Sequence, residues 1–540
     1  MSQTAVRGLN SRCSASWKDA KTNLLEVGMS MIAPLTTEPR WPDGSHFDVI
    51  VIGSGLGGLV TATQLVAQGF KPLVLERYLI PGGSAGYFER DGYRFDVGAS
   101  MIFGFGQQGT TNLLTKALAA VGKSLPTIPD LVQVNYHLPD GLNVRVHRDY
   151  EAFLTELGDR FPHERRGIRQ FYDACWQVFN CLNAIELLSL EEPRYVARVF
   201  WQNPLACLGL ARRLPQNVGS LARRYLKDPQ LLHFIDMECY CWSVVPAAKT
   251  PLINAGMVFS DRHYGGVNYP QGGVGRIAQT LAEGLIEAGG HLQYRSRVKR
   301  IVTKQGRAIG VELATGERYT ADRIVSNATR WDTFNRLLDQ PTPKAEQRWQ
   351  SRYAPAPSFV SVHLGVRSDV IPPQTDCHQI VLEDWAELEA AGGTVFMSLP
   401  TLLDPSLAPR DRHIIHAFTP SWLADWQGLS PQQYEQQKQH VASQIIQRLE
   451  RLFPGVKEAI DHCSIGTPRT HRRFLGRVDG TYGPMPRQQR PGLLGMPFNR
   501  TVVPGLYCVG DSTFPGQGLN AVAFSGFACA HRVAVDLGRP

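Results

Sequence analysis

The sequence predicts an α/β fold: a nucleotide-binding domain built on a parallel sheet, which the chain enters and leaves more than once, and a second domain assembled from the intervening segments. Three observations predict it. A β-branched strand near residue 50 runs straight into a glycine-rich turn and an apolar helix. A second strand closes on the acid Glu76. Near the C-terminus another strand ends in Gly510-Asp511, and a further apolar helix follows it.

Each element has its own warrant. The first 46 residues mix Arg7, Arg12, Lys18, Lys21 and Arg40 with Asp19, Glu26, Glu38 and Asp43 and hold no apolar h-region. They read as a disordered leader or an upstream start ahead of Met29 or Met31, with a transit peptide as the alternative. The fold is expected to begin near His46. Phe47-Asp48-Val49-Ile50-Val51-Ile52 is the short β-branched run of a strand buried on both faces. It opens into Gly53-Ser54-Gly55-Leu56-Gly57-Gly58, a G-x-G-x-x-G, and then into the helical face Leu59, Val60, Ala62, Leu65 and Val66. In this Rossmann-like arrangement Gly53 permits the tight turn, and Gly55 lets the backbone approach a pyrophosphate. Gly58 lets helix and strand pack, and the helix N-terminus offers N–H donors to the anion. Glu76, at the end of Pro72-Leu73-Val74-Leu75, is placed to accept from ribose hydroxyls.

The next stretch, Arg77 through Pro81-Gly82-Gly83-Ser84-Ala85-Gly86, is a second glycine-rich loop, suited to a ligand longer than NAD. Its G-x-S-x-G lacks the leading strand that a nucleophile elbow requires. Further on, the segments 291–294, 298–302 and 308–313 read as strands of a small antiparallel unit with turns at Gly306 and Thr315-Gly316, and Val298 is expected to face the adenine. Arg323–Ala328 is another strand aimed at the nucleotide. Finally Leu506–Val509 leads to Gly510-Asp511, then Phe514-Pro515-Gly516-Gln517-Gly518, then a helix from Leu519 to Val535. Asp511 is placed for ribitol hydroxyls, and the helix start near Gly518 for negative charge at a flavin N1–C2 carbonyl. The cofactor expected from these parts is FAD.

Composition narrows the class. The chain has 540 residues and a formal charge of +8, with 43% hydrophobic and 19% charged residues. That excludes a disordered chain, and without a Lys/Arg block it gives no sign of nucleic-acid binding. Ten cysteines are too sparse for a disulfide scaffold. Cys239 and Cys241 form the closest pair and would point the same way on a strand. No window reaches the length of a membrane-spanning helix. His413 and His416 lie in an apparent strand without H-E-x-x-H, the remaining histidines are scattered, and no metal site is expected.

With these residues in place, the chain from about Phe47 to Leu537 resembles the FAD-dependent phytoene desaturase and carotenoid isomerase family, whose two-domain fold is amine-oxidase-like. The stretches closest to the isomerase branch are Tyr78–Ser84, Glu89–Tyr93, Ser326–Phe334, Thr470–Arg473, Thr481–Arg487 and Leu494–Asn499. Asn520 departs from the apolar residue expected after the Gly516-Gln517-Gly518 turn. The resemblance implies redox-neutral conversion of a poly-cis C40 hydrocarbon, 7,9,9′,7′-tetra-cis-lycopene, to all-trans lycopene by an enzyme holding reduced FAD, with NAD(P)H as one electron source. It also implies a peripheral location on a cyanobacterial membrane, or on a plastid membrane if the leader is a transit peptide. No protein partner is specified.

The domains expected are 47–130, 256–330 and 466–540 for FAD, and 131–255 with 331–465 for the substrate and the membrane face. A C40 polyene needs a long apolar tunnel, for which Phe171, Tyr172, Trp176, Phe179, Phe234, Tyr240 and Trp242 are candidate linings. Residues 195–213, with Arg198, Arg212, Arg213 and nearby Arg223, Arg224 and Lys227, form a basic amphipathic stretch suited to a membrane-facing mouth. The charged segment His163–Arg169 corresponds to one in the desaturases near the substrate, which makes Glu164 and Arg169 the candidate catalytic pair; a solvated helix start explains the same residues. A desaturase or saturase on the same fold, or a non-catalytic carotenoid carrier with a vestigial FAD site, are the competing functions.

Overall fold

The computed structural model describes residues 41–98, 100–487 and 496–539; the expectations for residues 1–40 and for Leu494-Gly495 lie outside them. The strand His46–Ile52 (β1) is fully buried over Val49–Val51 because both faces are covered, as its β-branched run requires. The helix Leu56–Ala67 (α1) and the strand Pro72–Leu75 (β2) complete a βαβ unit in which β1 and β2 are parallel. On its other edge β1 pairs in parallel with Arg318–Ser326.

Strand Arg318–Ser326 shares its far edge between two neighbours. Its first half pairs antiparallel with Arg307–Leu313, which in turn pairs with Val298–Lys304. Its second half pairs in parallel with Leu506–Cys508, returned from the C-terminus. The segment His291–Gln293 does not join that antiparallel unit. It pairs in parallel with β2 at the opposite edge, because helix Gly275–Glu287 delivers it there as a crossover. The C-terminal helix Leu519–Asp536 packs on α1, and a Cβ on Gly526 would lie 2.7 Å from the Val60 side chain.

A second seven-stranded sheet runs in the order Ile460–Gly466, Ser358–Arg367, Arg412–Ser421, Val395–Ser398, His378–Val381, Val132–His137, Asn143–His147. It is antiparallel except where His378–Val381 meets Val132–His137. Helix Pro431–Leu452 packs Ile445, Ile446 and Leu449 on one face. Helices Arg165–Asn183, Pro229–Ser243 and Leu252–Tyr264 build a separate core with the strand Val132–His137. Cys239 and Cys241 lie on the helix Pro229–Ser243, not on a strand, so their side chains diverge around the helix. Among the described residues no helix is long and apolar enough to cross a membrane.

Candidate functional site

A cavity of about 2810 Å³ is lined by residues of both sheets. That is several times the roughly 300–1,000 Å³ of an ordinary ligand pocket. At one end its wall is Gly53, Gly55 and Gly57, with Glu76, Arg77, Gly83, Ser84 and Val298 beside them. Gly53 adopts φ +94°, a left-handed turn that favours glycine. Helix α1 has Gly55 as its N-cap and no side-chain cap, so its first N–H groups stay available to an anion. Gly58 lies behind this wall, and a Cβ there would be 2.3 Å from the Gly53 carbonyl oxygen.

The Glu76 carboxylate is buried and aimed. It accepts from the Ser54 N–H at 2.9 Å, the Ser54 hydroxyl at 2.7 Å and the Tyr78 N–H at 2.7 Å. Arg77 donates to the Arg473 carbonyl at 2.8 Å. It shares a side opening with Arg297, Arg336, Arg469 and Arg472. Burial, aided by the charges of Arg297 and Arg336, lowers its pKa despite Glu76. The Ser84 hydroxyl is buried without a protein partner.

The C-terminal turn lies alongside. A Cβ on Gly57 would fall 3.2 Å from Gly510, so the two glycine turns touch. Asp511 lines the cavity and accepts from the Arg477 guanidinium. Added Cβ atoms on Gly516 and Gly518 would meet nothing, so this turn faces open space. Asn520, where an apolar residue was expected, donates to the Thr111 carbonyl at 2.9 Å and ties the helix start to the cavity wall. A long anionic ligand with hydroxyl groups fits this end: donors at the turn, a fixed carboxylate, and a second open turn beside Asp511.

The far end is apolar. Of the seven aromatics considered from sequence, only Trp242 lines the cavity; Phe171, Tyr172, Phe179, Phe234 and Tyr240 fill the solid core, where large rings are equally at home. The lining comes instead from Phe103, Phe359 and Phe418 and from the helices Pro193–Gln202 and Pro204–Arg213, through Tyr195, Val199 and Leu210. Those same helices turn Trp201 and Leu205 outward, 80% and 83% exposed.

Glu164 and Arg169 are placed elsewhere. Glu164 is buried, and its carboxylate accepts from the N–H groups of Lys227 and Asp228 at 2.6 and 2.7 Å. Arg169 pairs with Glu151 at 2.5 Å on the surface. Neither lines the cavity. The polar groups that do reach its interior escaped the sequence because they are far apart in it. His363 and His416 stack at 4.2 Å, and His471 contacts the Tyr482 hydroxyl at 3.1 Å. Burial keeps their imidazoles neutral, lowering His416 to about 3 and His471 to about 4. Asp261 also lines the cavity. Away from it, Asp130, Cys377 and His378 gather as a buried triad that the scattered histidines did not foretell. His378 Nδ1 is 3.0 Å from Asp130, and its Nε2 is 3.9 Å from the Cys377 sulfur, so both ring nitrogens are engaged.

Residues 56–534 match the family of flavin containing amine oxidoreductases. Over 95% of its length the chain is 58% identical to the chloroplastic prolycopene isomerase of Arabidopsis thaliana, covering 87% of that protein. It is also 58% identical to that of Daucus carota, over 91% of the chain and 81% of the relative. A neurosporene-forming phytoene desaturase of Cereibacter sphaeroides is 25% identical, over 91% of this chain and 95% of its own. Among solved structures, an oxidoreductase from Methanosarcina mazei aligns with a TM-score of 0.59 at 19% identity, over 89% of this chain and 99% of its own. Putrescine oxidase with putrescine bound aligns at 0.60 and 17%, over 92% and 99%.

Proposed function

Because the chain belongs to the flavin containing amine oxidoreductases and, within them, to the prolycopene isomerases, we propose that it converts 7,9,9′,7′-tetra-cis-lycopene to all-trans lycopene without net redox change, with reduced FAD as the active form. It is a carotenoid cis–trans isomerase, and its cofactor is FAD. The observation that carries the substrate reading is the identity of 58% to prolycopene isomerases against 25% to a desaturase. The shape of the cavity supports it, with a polar, glycine-lined end continuous with an apolar end large enough for a second, long ligand.

In this reading Gly53, Gly55 and the start of α1 bind the pyrophosphate, Gly58 allows the turn to pack, and Glu76 accepts from the adenosine ribose. Arg77 and Val298 border the adenine, Gly83 and Ser84 the middle of the cofactor, and Gly510, Asp511 and Gly518 its ribitol and flavin. Bound there, the flavin supplies a reversible source of electrons, and NAD(P)H is the proposed reductant. The segments 47–130, 256–330 and 466–540 form the FAD domain, and 131–255 with 331–465 the substrate domain. The protein works as a peripheral protein at a cyanobacterial or plastid membrane.

The test is an anaerobic assay with protein, FAD and tetra-cis-lycopene in liposomes, with and without dithionite. All-trans lycopene of unchanged mass, formed with dithionite only, is expected. A product lighter by two hydrogens would make the enzyme a desaturase, and a protein that takes up no FAD would be a carrier.

The exposed helices Pro193–Gln202 and Pro204–Arg213 are the proposed mouth, since their inner faces line the cavity while Trp201, Leu205 and Leu208 point out. Withdrawing a large apolar side chain from the interface costs roughly 1.5–3 kcal/mol. The double variant Trp201→Glu, Leu205→Glu is therefore expected to bind anionic liposomes at least about tenfold more weakly in sedimentation. Undiminished sedimentation with vesicles would place the mouth elsewhere.

A further inference from the structure

Among the described residues the cavity wall holds an acid, Asp261, whose carboxyl oxygens no other residue engages. Asp261 lies near the end of helix Leu252–Tyr264, is 1% exposed, and lines the cavity. Neither carboxyl oxygen has a hydrogen-bond partner among the protein groups. The nearby Gly265 N–H is directed at the main-chain carbonyl of Asp261 and favours the carboxylate less than burial disfavours it. A buried carboxylate without donors is strongly disfavoured, whereas a buried carboxylic acid is tolerated.

A second orphan stands beside it. The Asn112 Oδ1 is also buried without a partner. It and Asp261 Oδ1 each lie 3.0 Å from the point a Cβ on Gly265 would occupy. Both acceptors border the open side of Gly265, and of the two only Asp261 can take up a proton. Arg148 is the charged neighbour that favours the carboxylate, but its guanidinium is spent on Gly265 O at 2.8 Å, Asn268 Oδ1 at 3.1 Å and Val267 O at 3.2 Å. The adjacent Arg262 is turned away to Glu238, and His263 toward the Arg148 carbonyl.

We infer that Asp261 is the general acid and base of the isomerisation, holding a proton at the cavity wall where the polyene lies. The inference rests on the isomerase reading above. In the forward half the carboxyl O–H bond breaks and a C–H bond forms at a polyene carbon, supplied by the π pair of that double bond. The cation left behind is spread along the conjugated chain, and neighbouring cis double bonds gain single-bond character and rotate. In the return half the carboxylate removes a proton from the same carbon, and the C–H pair restores the double bond. The polyene ends at its starting oxidation level, as a change of geometry alone requires, and the need for reduced FAD is met by an electron-rich reduced flavin that stabilises this cation. Aromatic faces in the wall, among them Trp242, Phe359 and Phe418, suit a passing cation.

Desolvation holds the Asp261 carboxyl up to about 7, against Gly265 and Arg148, which lower it. The protonated form therefore prevails below that value and is lost above it, which lies in the range useful to a general acid. In FAD-loaded wild-type protein reduced with dithionite and given tetra-cis-lycopene, the rate is expected to fall as pH rises through about 7. Asp261→Asn keeps the size of the side chain and is expected to lower the rate by about 10²–10⁴-fold, with flavin content unchanged and no remaining inflection near that pH. Infrared difference spectra between pH 6 and pH 8 should show in wild type a protonated-carboxyl band that Asp261→Asn lacks, beside the band of Asp96, which burial raises to about 6 and which both proteins share. Asp261→Glu, which keeps the acid, should recover part of the rate and the inflection even if the asparagine variant folds poorly. Full turnover by Asp261→Asn, beside a wild type that isomerises, would overturn the inference and leave the isomerase reading intact. A wild type that makes no all-trans product overturns both.

Discussion

Replacing Arg262 with leucine is expected to cost about 3–5 kcal/mol of stability, read as an earlier midpoint of urea unfolding. Its guanidinium, 1% exposed, meets Glu238, which is wholly buried, at 2.5 Å, and the Tyr172 hydroxyl donates to the same carboxylate at 2.6 Å. The cation also lies 4.7 Å from the Phe153 ring centre and 5.1 Å from that of Phe259. Removing the arginine leaves a carboxylate at the centre of an apolar core with only a phenol to satisfy it, and the penalty is that of an unpaired buried charge. The double variant Arg262→Leu, Glu238→Leu removes both charges and is expected to regain most of the loss, because the pair itself contributes little beyond its own desolvation. A single variant as stable as the parent would show that water reaches Glu238.

The second large effect lies at the cofactor turn. Gly58→Ala places a methyl 2.3 Å from the Gly53 carbonyl oxygen and 3.2 Å from Val51. The first of these is backbone and cannot rotate aside, so the turn itself must move. Overpacking of this kind costs about 1–3 kcal/mol, which corresponds to a weakening of FAD binding by roughly 5- to 150-fold. Gly55→Ala offers the contrast. Its methyl would meet the Asn327 amide nitrogen at 2.7 Å, the end of a side chain that can swing, so the direct steric loss should be smaller. Urea midpoints of the flavin-free proteins would rank the two, and the reverse order would contradict this account of the turn; flavin retention should fall in both, since a Cβ on Gly55 also stands where the pyrophosphate would approach.

The parallel sheet and the glycine turn were legible because their signals are local: a β-branched run, the spacing of Gly53, Gly55 and Gly58, and an acid at the next strand end all fall within about thirty residues. The return at Gly510-Asp511 was legible for the same reason. The segment His291–Gln293 was misassigned because adjacency in sequence suggests a hairpin, and only the crossover helix decides which edge a strand joins. The acid–base expectation settled on Glu164, a charge that a sequence shows. What it does not show is that two backbone N–H groups from Lys227 and Asp228, some sixty residues away, consume that carboxylate. Asp261 was hidden in the opposite way. In Ser260-Asp261-Arg262-His263 it looks like a solvated helix end, and it is buried because Glu238, on another helix, neutralises its neighbour and draws that end inward. The histidines at 363, 416 and 471 converge through the register of the strand pairing and the helix after it, which no spacing rule reveals.

The divided edge of strand Arg318–Ser326 has a consequence for biosynthesis. The upper half of that edge belongs to Leu506–Cys508, and α1 is covered by the helix that follows it. On a ribosome extending at about 5–20 residues per second, β1 and its turn emerge on the order of half a minute or more before the segment that completes them. During that interval the nascent chain carries an open strand edge and an uncovered apolar helix, the features that invite mispairing and chaperone capture. Flavin capture would then wait until Leu506–Cys508 and the helix after it slot into place, and a chain truncated before Leu506 should remain colourless however long it waits.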